Sequence, residues 1–106
     1  MNDNQREVEM PTYITLTQFT QQGAQHIKDL PGGVEKNREA FKKAGIEIKG
    51  WYLTMGQYDV VTVFDAPNDE VAAKTMMMLA LQGNVRTQTM RAFSFDEFKK
   101  IAGTLP

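Results

Sequence analysis

Tyr58-Asp59-Val60-Val61-Thr62-Val63-Phe64-Asp65 is the stretch on which the fold turns. It is rich in β-branched and aromatic residues, which favour strands. One parity carries Val61 and Val63, the other Val60, Thr62 and Phe64. Successive side chains of a strand point to opposite faces, so this strand is apolar on both sides and needs cover on both. It belongs in the middle of a sheet, with a strand on either side.

Upstream, Gly56-Gln57 sits where a hairpin turn is expected, and Ile46–Met55, with Trp51, Tyr52 and Leu53, reads as the partner strand. Gly45 suits the left-handed residue that ends a helix. The spacing of Val34, Asn37, Phe41 and Ala44 predicts that helix over about Val34 to Ala44. Pro31-Gly32-Gly33 predicts a break, separating it from a shorter helix capped by Thr20 and lined by Ala24, Ile27 and Leu30. Before that, Thr12–Phe19 alternates as a strand, with Ile14 and Leu16 on one face and Tyr13, Thr15, Thr17 and Phe19 on the other.

Downstream, Ala66-Pro67-Asn68 is a turn, with Asn68 as a candidate cap and Asp69 and Glu70 in the first turn of a helix. That helix runs to about Gln82 and stops at Gly83. Val85–Phe93 is a fourth strand, and Asp96–Ala102 a short terminal helix. The order β–α–β–β–α–β predicts an α+β, ferredoxin-like sheet, with the third strand between the first and second and the fourth outside the first. The expected organisation is one domain over residues 10–106, preceded by a disordered extension at residues 1–9.

Two helices cover one side of a four-stranded sheet. Both parities of the central strand are apolar, so the uncovered side also needs a partner. Burying one such side chain is worth about 1.5–3 kcal/mol. Sheet-to-sheet pairing of two copies, giving a homodimer or larger homo-oligomer, is the simplest resolution.

The net charge of −1 lacks the basic excess that phosphate binding needs, so nucleic acid is not an expected partner. The absence of cysteine removes disulfides, thiolate catalysis and cysteine metal sites, and fits a reducing cytoplasm. No apolar run reaches the roughly 20 residues that cross a membrane. No P-loop, G-x-G-x-x-G, G-x-S-x-G or H-E-x-x-H is present, so no cofactor, metal or catalytic residue is assigned.

The split βαβ order brings several polar residues toward one corner: Thr17, Thr54, Tyr58, Asp59, Asn84 and Arg86, with His26 on the helix that starts there. Thr17, Tyr58, Asp59, Arg86 and His26 are the candidate ligand-binding set, suited to holding an anion or moving a proton. Each also has a structural explanation. Gly56 serves the turn, Tyr58 is a core or interface ring with a hydrogen-bonded hydroxyl, Asp59 and Arg86 pair as a salt bridge, and His26 is a surface residue. Met76-Met77-Met78 occupies three helix directions, so at least one methionine leaves the core side; the others pack the core or wall a pocket.

Three functions compete. The first is binding of a small apolar molecule between sheet and helices. The second is cofactor-independent monooxygenase or isomerase chemistry, by analogy of fold. The third is single-stranded RNA binding on the open sheet, with Tyr13 and Phe64 as the stacking pair.

Three motifs in register carry a resemblance: Pro11-Thr12-Tyr13-Ile14 leading to Thr20-Gln21-Gln22-Gly23, then Met55-Gly56-Gln57-Tyr58-Asp59, then Gly83-Asn84-Val85-Arg86-Thr87. Together, over about residues 10 to 98, the chain resembles the GYD-domain family, small and mostly bacterial proteins of uncharacterised activity. Its signature residues would be Gly56, Tyr58 and Asp59. The resemblance implies a ferredoxin-like fold of the dimeric α+β barrel type, and it brings no catalytic assignment with it. Met10 fits the usual start of the family.

Overall fold

The structure, a computed structural model, describes residues 10–106. The extension expected over residues 1–9 lies outside them. The strands are β1 (Thr12–Phe19), β2 (Glu47–Leu53), β3 (Val60–Asp65) and β4 (Val85–Ala92). They form one sheet in the order β2-β3-β1-β4, with every neighbouring pair antiparallel. The strand that is apolar on both parities is an interior one, as its composition requires. The fold is α+β and ferredoxin-like.

The helices are α1 (Gln21–Gln25), α2 (Leu30–Lys43), α3 (Asp69–Gln82) and α4 (Phe95–Ala102), with a 3-10 turn at Ile27–Asp29. Thr20 and Asn68 cap α1 and α3 by accepting the N–H of Gly23 and Val71, and Gly83 ends α3 at a φ of 80°. Pro31-Gly32-Gly33 differs from expectation. It lies inside the first turn of α2, and the break falls upstream in the 3-10 turn. The first N–H groups of a helix have no partner within it, so the donor that proline lacks is not missed there.

β1 shows which parity the helices cover. Tyr13, Thr15 and Thr17 are buried, while Ile14 and Leu16 are half-buried on the opposite face. The register puts Val60, Thr62 and Phe64 of β3 on the covered side and Val61 and Val63 on the other. A register shift between Ile48 and Gly50 lets β2 place Ile48, Trp51 and Leu53 on the covered side and Tyr52 on the open one. The core is Tyr13, Ile46, Phe64, Ala66 and Ala72, with Phe41, Val71 and Met76 packed against it. Tyr13 and Phe64 stack at 5.4 Å between centroids. The aromatic pair expected to stack bases on the open face is therefore inside the molecule.

The Tyr13 hydroxyl donates to the Asp69 carboxylate. Burial first, then that hydrogen bond and the Asp69 charge, push its pKa from 10.0 up to about 12, against a smaller opposing effect of Arg91. Below pH 10 the phenol is protonated both folded and unfolded, and its contribution to stability is complete. Between pH 10 and about 12 the unfolded chain ionises first, so stability falls through that window. Urea melts across that range should show the loss in the native protein, and Tyr13→Phe should lack this part of it. An equal slope in both would remove Tyr13 as its source.

Among the described residues, no helix is long and apolar enough to cross a membrane.

Candidate functional site

The covered face of the sheet is floored with short side chains. Thr15, Thr17 and Thr62 stand where leucine or phenylalanine would fill the space beneath a helix. Both helices stand off that floor. α2 reaches the core through Phe41, and α3 through Val71, Ala72 and Met76. An amide pair ties the two helices: Gln82 Nε2 donates to Asn37 Oδ1 at 3.1 Å. Beneath that tie lies a cavity of about 500 Å³. Its walls are Leu30 and Val34 of α2, Met76 and Leu79 of α3, and Trp51 and Leu53 of β2. Glu35 is the one ionisable side chain among the described residues that line it. Volumes of 300–1,000 Å³ with mostly apolar walls are typical of small-molecule sites.

The three sequence motifs meet beside this cavity, at the end of β1. Thr20 N–H donates to Asn84 O at 3.0 Å, and the Thr20 hydroxyl donates to Gly83 O at 2.7 Å. Gly23 lies so close that a Cβ there would sit 2.1 Å from Asn84 O. Gln22 Nε2 reaches Gln82 O and Asn84 Oδ1, both at 3.1 Å. From the other side, the Asp59 carboxylate accepts Phe19 N–H at 2.8 Å, and Asp59 N–H donates to Thr17 O at 2.8 Å. Gly56 turns the chain at a φ of 118°, a conformation that glycine adopts without strain. Gln18 Nε2 then donates to Gln57 O at 3.0 Å. The motif residues thus latch α1, the β2–β3 turn and the start of β4 onto one strand end. Phe19, Asn84 and Val85 of this latch also line the cavity.

The candidate ligand-binding residues do not converge on one cavity. Thr17 is 8% exposed and lines the cavity. Tyr58 donates its hydroxyl to Gln88 Oε1 at 3.2 Å, and Gln88 opposes Leu16 on the open face. Arg86 opposes Gln18 and shares that open parity. Asp59 sits between the two faces at the strand end, and no ion pair joins it to Arg86 among the described residues. His26 is exposed at the end of α1, next to the cavity-lining Ile27. The sheet itself separates Thr17 from Tyr58 and Arg86. Of the three adjacent methionines, Met76 packs against the core and cavity, while Met77 and Met78 are exposed. The cavity residues that sequence reading passed over are Thr15, Thr62, Asn37 and Gln82. Three threonines on one parity of two central strands were the available signal for a hollow floor.

A solved structure, that of LrpC from B. subtilis, superposes with a TM-score of 0.54 at 14% identity, over 89% of this chain and 59% of that one. At that identity the likeness concerns the fold alone. A Thermus thermophilus protein named "Glutamine synthetase and cystathionine beta-lyase binding protein" is 34% identical over 84 residues, covering 78% of this chain and 88% of that protein. The GYD domain model matches residues 13–102, a span that holds the latch and the cavity floor. The chain belongs to the GYD domain family.

Proposed function

We propose that this protein is a small binding protein, holding an apolar molecule between sheet and helices and pairing with a second copy through the other sheet face. The cavity carries the first part. Its walls are mostly hydrocarbon and its floor carries neutral hydroxyls, a lining suited to an apolar molecule rather than to transferring protons. The name of the Thermus thermophilus relative, which describes binding, favours the same broad class over catalysis. Apolar probes such as 2-ethylnaphthalene should raise the melting temperature, and above their Kd the rise should follow the logarithm of probe concentration, by mass action on the folded state. A flat response across a panel of apolar probes would remove this reading.

The second part rests on the open face. Ile14, Leu16, Val61 and Val63 form its centre, flanked by Tyr52 and Met90. With strands of six to eight residues, the planar face measures about 20 by 25 Å, or about 500 Å². A stable pair needs about 800 Å² from each partner. α4 offers further exposed apolar surface. Two residues separate it from β4, its start is fixed by a Ser94–Glu97 capping box, and Phe95, Phe98 and Ile101 at helical spacing are all exposed. A second copy is the occupant that covers both surfaces at once.

A further inference from the structure

Among the described residues that line the cavity, Thr17 is the buried one whose hydroxyl is left without a partner. The pair beside it in the same register is satisfied: the Thr15 and Thr89 hydroxyls bond to each other at 2.8 Å. Thr75, on the facing helix, donates to Val71 O at 2.8 Å. Thr17 opposes Thr87 in that register, yet its hydroxyl has no hydrogen-bond partner among the described residues. It is nevertheless more than nine-tenths buried, and it lies in the cavity lining. Buried hydroxyls are normally paired, and an orphan one calls for an explanation. Val60, its other neighbour on the covered face, offers only hydrocarbon.

From this we infer that the ligand is a neutral apolar molecule carrying a carbonyl group, as in a ketone, aldehyde, ester or quinone, whose oxygen takes a hydrogen bond from the Thr17 hydroxyl. The inference rests on the cavity being a ligand site and adds the chemical class. Anionic ligands are rejected because no cation lines the cavity among the described residues and its one ionisable side chain is the carboxylic acid Glu35. A carboxylate buried there would lose its hydration without an opposite charge in return. The hydroxyl of Thr62, on the adjacent strand and the same face, also lines the cavity and makes no side-chain hydrogen bond among the described residues. It lies within the same floor and extends the polar spot toward β3.

Three probes of one shape separate the possibilities: 2-acetylnaphthalene, 2-ethylnaphthalene and 2-naphthoate, titrated into the full-length protein and into Thr17→Val and Thr17→Ser. The ketone is expected to bind about five- to tenfold more tightly than the hydrocarbon, the worth of one net hydrogen bond. That preference should persist in Thr17→Ser and vanish in Thr17→Val, while the hydrocarbon binds both variants alike. 2-Naphthoate should bind more weakly than either. Thr17→Val should melt at or above the temperature of the native protein, because it removes an unpaired buried hydroxyl. An undiminished ketone preference in Thr17→Val, naphthoate binding as tightly as the ketone, or a marked drop in the melting temperature of Thr17→Val overturns the assignment to Thr17 while leaving the cavity reading intact. Failure of all three probes to bind the native protein overturns both.

Discussion

Gly23→Ala is expected to lower the melting temperature by about 15 °C, which corresponds to about 2–4 kcal/mol in a domain of this size. The new Cβ would lie 2.1 Å from Asn84 O and 3.0 Å from the Asn84 carbonyl carbon. Both are backbone atoms, so no side-chain rotation relieves the contact. Moving α1 away instead strains three bonds together: Thr20 N–H to Asn84 O, the Thr20 hydroxyl to Gly83 O, and Gly23 N–H to the Thr20 hydroxyl at 3.0 Å. Gly33→Ala is the matched control. It lies in the first turns of α2 with nothing within 4 Å of its added methyl. There alanine restricts the unfolded chain and improves helix propensity, for a gain of about 0.5–1 kcal/mol. Thermal melts followed by circular dichroism compare the two directly. Equal melting temperatures for both variants would mean that α1 does not press on β4.

That contrast between two glycines bears on what the sequence could reveal. Strand positions followed from local composition, because Val60–Phe64 declares its burial on both faces and Gly83 declares a helix end. Gly23 and Gly33 look alike as letters. Their difference is a contact between residues 61 positions apart, which no local pattern encodes. Asp59 is a similar case. As a carboxylate near Arg86 it reads as half of an ion pair, yet its oxygen is taken by the Phe19 N–H. The parity of β1 was ambiguous for a related reason. Tyr13 and Phe19 alternate with Ile14 and Leu16, and either set could face helices until α3 supplied Asp69 to receive the Tyr13 hydroxyl. The proline in α2 was misread because a helix start and a helix break use the same residue. Only the location of the preceding 3-10 turn separates them.

Val61→Glu is expected to convert the proposed pair into monomers while leaving the fold intact. Val61 opposes Leu16 and Tyr52, near the middle of the open face. It is half-buried in the single chain, so a flexible glutamate there can turn its carboxylate to water at a folding cost of about 1 kcal/mol. Between two stacked sheets it has no such exit. Central residues of a two-fold interface meet their own counterparts or near neighbours, so two carboxylates would be desolvated together. An uncompensated buried charge costs about 3–5 kcal/mol, so even one weakens the dimer by about a hundredfold to a few thousandfold. The neighbouring residue makes the parity itself testable. Val60 is 3% exposed and faces the cavity floor, so Val60→Glu is expected to damage the fold and the apolar site rather than the association. Sedimentation across the micromolar range, paired with melting curves, separates the two outcomes. A native protein that sediments as a monomer, or a Val61→Glu variant that remains paired, sinks the second-copy reading.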